Sequence, residues 1–420
     1  MIIMLDKKTN DKLARVGKDT PCGKLLRRYW HPICFSSDIK EVGDTKQVRL
    51  LGEDLALIRL KDGSLFLSQR HCPHRGASLV YSFVEGENIR CPYHGWLFNK
   101  QGQCIEKPFE SKKSNSLCRK LIDTYSTHEI AGLVFAYLGP EYHKPYFPMW
   151  DILVREDGVR HFEVQDDLKC NWLQMQENAV DVTHTHFLHS KYFEKLGMKD
   201  TSGFGEPFKK FGFQPFQWGI VKSWYYAGKD KGVGWGNPLI FPNMLRLLTE
   251  MHWRVPIDDE TTRIVWVSFT PNELTDNTAK NIYPEVKQQP RTKDVDGRYL
   301  MDTFMSQDAM AAETQGAFFD RSKEQLGASD TGIVMLRKIL QEQIAIVENN
   351  GNPIANVYDS PVDITDLRDW MGGYLPMSCA PDPTFIQRKD FEEIFVESHI
   401  EYQIPDSSSV MKKQPFIRIS

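Results

Sequence analysis

Hydrophobic and polar positions change their pattern along the chain, and the first long stretch is typical of β-strands. Between Ile33 and about Tyr146, short apolar runs are separated by turns that contain Gly or Asp; the runs include QVRLLG, DLALIRL, SLFLSQ, NIRCPY and GLVFAYLG. Short runs rich in β-branched and aromatic residues and bounded by turn residues indicate antiparallel strands. We therefore predict a small all-β domain over residues 31–146.

Helical periodicity occurs on both sides of this region. An amphipathic pattern over residues 7–30 ends before Pro32, so residues 1–30 are predicted as a helical segment that packs on the C-terminal domain. A Pro-rich connector at 139–150 precedes a larger domain over residues 147–420. This domain mixes strand runs with helical patterns, which lie at 302–320, at 332–348 and at the start of 169–190. The predicted fold class is α+β, an all-β N-terminal domain followed by a larger domain with an antiparallel sheet and helices.

The charge balance and the apolar runs argue against nucleic-acid and membrane partners. The 420 residues include 52 Lys and Arg and 56 Asp and Glu, for a formal net charge of −4. Such a balance gives no electrostatic reason to bind nucleic acid or an anionic membrane surface. No apolar run approaches the roughly 20 residues that span a bilayer, and MIIMLDKKTNDKL lacks the apolar segment of a secretory signal. We expect a cytoplasmic protein.

Two of the eight cysteines have histidines at ligand spacing. The sequence reads HCPHRG at 71–76 and CPYHGW at 91–96, so Cys72 with His74 and Cys91 with His94 form two short hooks. A tetrahedral zinc site uses the same residue types, but it usually separates a Cys pair from a His pair that lies on a helix. A Rieske [2Fe–2S] centre, with two thiolates on one iron and two imidazoles on the other, suits one Cys and one His in each hook. The zinc site is the alternative.

A second group of candidate ligands follows in the larger domain. The run ENAVDVTHTHFLH at 177–189 contains Asp181, His184 and His189. Two histidines and a carboxylate on one face are the ligands of non-haem Fe(II) oxygenases. Histidines near the end of a helix are also common as capping or surface residues, so this run is by itself only moderately specific.

Taken together, the two groups resemble a known enzyme family. The hooks with their HisArgGly and HisGlyTrp flanks resemble those of the Rieske non-haem iron aromatic ring-hydroxylating oxygenases, and the run at 177–189 resembles their mononuclear iron motif. The stretch 306–330 resembles the phthalate-dioxygenase-like branch, which includes oxygenases of aromatic carboxylates and aryl-ether demethylases. The resemblance implies a Rieske [2Fe–2S] domain at 31–146 and a catalytic non-haem iron domain at 147–420.

The same resemblance implies roles for individual residues. It assigns the [2Fe–2S] cluster to Cys72, His74, Cys91 and His94, and the mononuclear Fe(II) to His184, His189 and Asp308. Glu313 is the rival to Asp308. Asp181 is then not a ligand but a bridge for electrons between His184 and His94 of a neighbouring subunit. Asn178 matches a family position near the iron, and a capping or packing role is the alternative.

The implied function is that of the oxygenase (alpha) component of a multicomponent system. It activates O₂ to hydroxylate an aromatic substrate, with NAD(P)H electrons supplied by a separate ferredoxin or flavin reductase, and it forms a homotrimer or stacked trimers. A phthalate- or benzoate-like carboxylate needs a cationic partner, for which Arg246 is the candidate and Arg254 the reserve; an ordinary strand-surface Arg is the alternative. O-demethylation of a methoxylated aromatic acid is the rival reaction. A Rieske electron-transfer protein and a zinc-binding module are the non-enzyme alternatives.

Overall fold

The N-terminal part of the chain folds into two antiparallel sheets. A computed structural model describes residues 5–111, 119–197, 208–226, 237–247, 249–271 and 284–359, with the backbone of 364–365 and 394–397. Its first ten strands are β1 (Trp30–Phe35), β2 (Thr45–Leu50), β3 (Glu53–Arg59), β4 (Leu65–Gln69), β5 (Phe83–Glu85), β6 (Asn88–Arg90), β7 (Leu97–Phe98), β8 (Cys104–Glu106), β9 (Thr124–Ile130) and β10 (Leu133–Tyr137). They form a six-stranded sheet in the order β1-β10-β9-β4-β3-β2 and a four-stranded sheet in the order β5-β6-β7-β8.

Most of the strands that follow form a larger sheet. The strands of this part of the chain are β11 (Met149–Trp150), β12 (Gly158–Val164), β13 (Phe208–Phe216), β14 (Gly219–Tyr226), β15 (Asn237–Ile240), β16 (Met244–Leu247), β17 (Glu250–Asp258), β18 (Thr261–Pro271), β19 (Val286–Gln288), β20 (Ile364–Thr365) and β21 (Ile394–Glu397). Strands β11 and β20 pair separately with each other, and the other nine pair in the order β19-β12-β18-β17-β16-β15-β14-β13-β21. All neighbours in this nine-stranded sheet are antiparallel except β12 and β19. The predicted α+β class, with an all-β N-terminal part, is confirmed.

The helices agree with the sequence pattern except where turn residues interrupt them. They are α1 (Lys7–Ala14), α2 (Pro21–Leu26), α3 (Asp151–Val154), α4 (Trp172–Val180), α5 (Tyr192–Lys195), α6 (Phe304–Glu313) and α7 (Thr331–Glu348). The predicted helix at 302–320 ends at Glu313, and Gly316 then adopts a φ of +97°, which is incompatible with a continuing right-handed helix. No helix within the described ranges is long and apolar enough to cross a membrane.

Strand β3 separates two hydrophobic cores. Leu55 and Leu57 belong to the main core, which also contains side chains of the larger sheet and of the helices. Ala56 and Ile58 point to the other face, into a smaller core that contains the thiols of Cys72 and Cys91. Because successive side chains of a strand point to opposite faces, β3 is apolar on both sides.

A buried ion cluster holds α4 against α7. Glu177 accepts hydrogen bonds from Arg321 Nε at 2.9 Å and Nη2 at 2.8 Å, and from Arg337 Nε at 2.7 Å. Burial raises the pKa of the Glu177 carboxyl, but the charges and hydrogen bonds of the two arginines outweigh burial and hold this pKa below its usual value. Arg321 Nη1 also donates to Asn10 Oδ1 at 3.1 Å, so the cluster includes α1.

We expect Glu177→Gln to lower the free energy of unfolding by about 3 kcal/mol, because it removes the counter-charge of the buried Arg321 and one of the two carboxylates that bind Arg337, the other being Glu324. Thermal unfolding midpoints of both proteins at pH 7 and pH 4 measure this. The folded-state pKa is depressed, so the contribution of Glu177 is complete well above pH 4.5 and declines as the pH falls. The difference between the two proteins should therefore shrink at pH 4.

Glu348→Gln is the matched control. Glu348 is the last residue of α7, the helix that carries Arg337, and it pairs with the exposed Lys12 at 3.1 Å. An exposed pair contributes about 0.5 kcal/mol. Equal losses in the two variants would show that the buried cluster has no special role.

Candidate metal centres

The two Cys/His hooks adopt the same backbone conformation. In the first hook, Cys72 N donates to Ala77 O at 2.8 Å and Gly76 N donates to Cys72 O at 2.9 Å. In the second, Cys91 N donates to Trp96 O at 2.8 Å and Gly95 N to Cys91 O at 3.0 Å. Both glycines have positive φ, 73° and 72°, a conformation that a residue with Cβ rarely adopts. Matching loops therefore present one Cys and one His each.

The donor atoms of the hooks fit a Rieske cluster. The two thiols are buried, and burial raises the pKa of Cys72 to about 12, so this thiol stays protonated unless a metal displaces the proton. The imidazole rings of His74 and His94 lie on the more exposed side, with centroids 4.5 Å apart. His74 Nδ1 is buried and has no hydrogen-bond partner among the described residues, as expected of a nitrogen meant for a metal. His71 Nδ1 donates to Gly76 O at 2.9 Å, so this histidine is not part of the group.

The mononuclear site begins where α4 ends. Helix α4 stops at Val180, Asp181 is its C-cap with extended backbone, and a π-helix then runs from Thr185 to Lys191. A π-helix repeats hydrogen bonds at five residues and is frequent at functional sites. This wider turn brings His184 and His189, which are five residues apart, to a ring separation of 5.1 Å.

Helix α6 supplies the carboxylate. Asp308 Oδ1 lies 3.8 Å from His184 Nε2 and 3.4 Å from His189 Nε2, and the three donor atoms lie within 4.8 Å of one another. Asn178 Nδ2 donates to the same Asp308 oxygen at 3.2 Å. The rival Glu313 instead accepts hydrogen bonds from Tyr299 OH and Lys169 N. On an α-helix, five residues correspond to a rotation of about 140°, so Asp308 and Glu313 face different sides.

Asp181 stands behind His184. Its Oδ1 accepts from Thr183 N and Oγ1, both at 2.8 Å, which leaves Oδ2 at 3.5 Å from His184 Nδ1. Burial lowers the pKa of His184, but the nearby carboxylates of Asp181 and Asp308 raise it more, so it lies above its ordinary value. Burial lowers the pKa of His189.

A cavity of about 520 Å³ opens beside these residues. Its lining includes the three candidate ligands, the aromatic side chains of Trp224, Trp266 and Phe304, and the cations of Lys222 and Arg254. Burial lowers the pKa of Arg254 to about 10, and burial together with the charge of Arg254 lowers that of Lys222 to about 7. Arg254 Nε and Nη1 are buried and have no hydrogen-bond partner among the described residues.

Arg246, the first sequence candidate for a substrate carboxylate, lies outside this cavity. It is 1% exposed and pairs with the equally buried Asp151 at 2.9 Å. Leu245 and Leu247 face the cavity, so alternation along β16 turns Arg246 to the opposite side of the sheet. The reserve candidate Arg254, on β17, faces the cavity.

Lys222 was not predicted from the sequence. The signal that could have found it is its place within the apolar run GIVKSWYY, where a lone Lys is 6% exposed. Its ammonium donates to Ala179 O at the end of α4. A buried Lys in a strand is uncommon unless it has a partner or a function.

Comparison with known proteins finds a matching family model and relatives that cover most of the chain. The Rieske [2Fe-2S] domain family matches residues 29–126. The chain is 36% identical over 368 residues to the 5,5'-dehydrodivanillate O-demethylase oxygenase subunit of Sphingobium sp. (86% of this chain and 85% of the relative). It is 30% identical to the phthalate 4,5-dioxygenase oxygenase subunit of Pseudomonas putida (81% and 87%).

Solved structures share the fold at lower identity. NdmA of Pseudomonas putida CBB5 with caffeine superposes with a TM-score of 0.57 at 19% identity, over 79% of this chain and 94% of that one. The α+β fold, the two groups of donor atoms and the relatives along most of the chain lead to one assignment. The chain belongs to the Rieske non-haem iron aromatic ring-hydroxylating oxygenases, as an oxygenase (alpha) component of the branch that contains phthalate dioxygenase.

Proposed function

We propose that this oxygenase acts on an aromatic carboxylate. The observation that carries the proposal is Arg254, a buried guanidinium with two unpartnered nitrogens in the wall of the cavity that also contains His184, His189 and Asp308. A buried cation without hydrogen bonds is costly, and a planar carboxylate satisfies a guanidinium with two parallel hydrogen bonds. The apolar part of the substrate would then pack against the cavity's aromatic side chains.

The residues of the chain divide the work between the two centres. Cys72, His74, Cys91 and His94 would hold the [2Fe–2S] cluster, and His184, His189 and Asp308 would hold the mononuclear iron at the wall of the cavity that would take O₂ and the substrate. When bound, the cluster supplies single electrons and the iron activates O₂. Asn178 fixes the Asp308 carboxylate through its hydrogen bond, and Arg254 holds the substrate in one orientation, which decides the atom that reacts.

Electrons would come from NAD(P)H through a separate ferredoxin or flavin reductase. Solved relatives include the oxygenase and ferredoxin complex of carbazole 1,9a-dioxygenase, which supports a separate electron-transfer partner. We propose a homotrimer or stacked trimers in which Asp181 of one subunit approaches His94 of the next, and a cytoplasmic location where NAD(P)H is available. The half-exposed Tyr93, whose ring centroid lies 3.8 Å from that of His94 with the ring planes inclined by 37°, lies at the surface where such a contact would form.

O-demethylation of a methoxylated aromatic acid is the second candidate reaction. This reaction is favoured by the similarity to the 5,5'-dehydrodivanillate O-demethylase oxygenase subunit, to which the chain is 36% identical. The two reactions use the same ligands and differ in which substrate atom lies beside the metal. Formaldehyde release from methoxybenzoates, compared with ring hydroxylation of phthalate and benzoate, separates them.

Metal analysis tests the two centres. Anaerobically purified protein should contain about three irons and two acid-labile sulfides per chain, with a Rieske-type visible spectrum. His184→Ala and Asp308→Ala should each reduce the iron to about two and leave the sulfide and the spectrum unchanged, because the ligand sets are separate. Glu313→Gln is the control and should keep three irons. Zinc in a colourless wild-type protein would refute the cluster.

Arg254→Met should weaken the binding of aromatic carboxylates by about 2 kcal/mol, or roughly 30-fold, since a charge-assisted hydrogen-bonded pair is lost. Dissociation constants for phthalate and benzoate, measured without O₂ beside those of their methyl esters, provide the readout. The preference of wild type for the acids should disappear in the variant.

The matched control for this change is Arg263→Met. Arg263 lies on the neighbouring strand β18 and pairs with Asp167 at 2.8 Å, away from the cavity. Its replacement should leave the affinities for acids and esters unaltered. An acid preference that survives in Arg254→Met would refute the role of Arg254 and with it the proposed substrate class.

Asp181→Asn should leave both metal centres filled but lower the rate of reductase-dependent product formation by at least 100-fold, because it removes the negative charge between the two imidazoles of the proposed electron path. Iron content, single-turnover reduction of the cluster and product yield measure this. The control is Asp330→Asn. Asp330 is also a partly buried carboxylate, and it accepts a hydrogen bond from Gly327 N. Wild-type turnover in Asp181→Asn would exclude the bridging role.

A further inference from the structure

Gln307 precedes Asp308 in α6 and contacts the ring of His189. Its side chain is fully buried, and its Oε1 lies 2.7 Å from His189 Nδ1. On the other side, its Nε2 donates to the backbone carbonyl of Met301 at 2.9 Å. The amide is therefore held at both ends inside the protein.

The carbonyl of Met301 determines which way the amide points. A carbonyl oxygen only accepts hydrogen bonds, so the NH₂ end of Gln307 must face it and the oxygen end must face His189. Met301 has a φ of +60°, uncommon for a residue with a side chain, and it belongs to the turn that leads into α6. The backbone carbonyl of Met301 thus fixes the orientation of the Gln307 amide, and the amide oxygen is the atom that faces His189.

An acceptor at this place decides which nitrogen of His189 carries the proton. Because Gln307 Oε1 accepts, Nδ1 must donate, and Nε2 keeps its lone pair. His189 Nε2 is the atom that lies 3.4 Å from Asp308 Oδ1. The ring of Phe304 packs edge-on against His189 with centroids 4.8 Å apart, so rotation of the imidazole is also hindered.

The two histidines are held by different groups. His184 has the carboxylate of Asp181 behind its Nδ1, at 3.5 Å, whereas His189 has the neutral amide of Gln307 at 2.7 Å. His189 is 4% exposed, so water has little access to replace the amide. The His189 ring therefore depends on Gln307 for its hydrogen-bond partner.

We propose that Gln307 is a positioning residue, which holds His189 in the Nδ1–H tautomer and aims Nε2 at the position shared with His184 and Asp308 before a metal binds. This inference rests on the proposed mononuclear iron site. It predicts that the affinity of the site for a divalent metal depends on an acceptor at residue 307, independently of turnover.

Two substitutions separate the acceptor from the rest of the side chain. Gln307→Met keeps the length and removes both polar groups, so Fe(II) or Co(II) should bind about 10- to 100-fold more weakly in protein that retains its cluster. Gln307→Glu keeps an acceptor for His189 but cannot donate to Met301 O when ionised, and it should bind the metal at least as tightly as wild type. Affinities come from anaerobic titration with a competing chelator, with thermal unfolding measured in parallel.

Gln174→Met is the matched control. Gln174 is a buried amide whose Nε2 donates to Ala312 O and Gly316 O at the end of the same helix α6, without contact to a candidate ligand. This variant should lose thermal stability yet keep the metal affinity of wild type.

Wild-type metal affinity in Gln307→Met, or weaker binding in Gln307→Glu than in wild type, would overturn the positioning role. The glutamate variant provides this test even if the methionine variant does not fold. Failure of the underlying iron site is distinguishable, because His184→Ala would then bind the metal as well as wild type does.

Discussion

The ion cluster around Glu177 is the constraint on which the catalytic side of the molecule depends. Its carboxylate accepts hydrogen bonds from Arg321 and Arg337, both buried, and thereby joins α4 to α7 and to the turn after α6. The next residue in the chain is Asn178, which donates a hydrogen bond to Asp308, and α4 ends at Val180, directly before Asp181. A shift of α4 along its axis would move Asn178 and Asp181 at once.

Each of the two candidate histidine ligands has a polar group on its outer side: Gln307 Oε1 accepts from His189 Nδ1, and the Asp181 carboxylate lies 3.5 Å from His184 Nδ1, while both Nε2 atoms face Asp308. The supports differ in charge and in distance from the ring, since Asp181 lies at the end of α4 and Gln307 lies within α6. The two histidines lie at and within the π-helix, and Asp308 lies on α6. These two helices pack on each other, so their packing sets the relative placement of the candidate ligands. Preorganisation of this kind lowers the cost of assembling a metal site.

The sheet provides the other wall of the cavity, and its alternation separates structural from binding cations. Arg246 on β16 turns away from the cavity and is neutralised by Asp151, whereas Arg254 on β17 turns towards it. Arg246 therefore forms a structural ion pair in the interior of the protein. The arginine with unpartnered nitrogens has its charge available for an anionic ligand.

The sequence by itself determined those features that depend only on residues close together in the chain. The Cys and His hooks, the His-x₄-His run, the all-β character of the first domain and the helix at 332–348 depend on local spacing and periodicity, which survive folding unchanged. Only the tertiary structure decided which distant residues meet them. It placed Asp308, which the family resemblance already favoured over Glu313, beside the histidines, and it placed Arg254 rather than Arg246 in the cavity and Gln307 against His189. The physical reason is that a shift of one residue in a strand, or a rotation of a helix, exchanges the faces of an element, and that choice is made by packing between segments more than 100 residues apart.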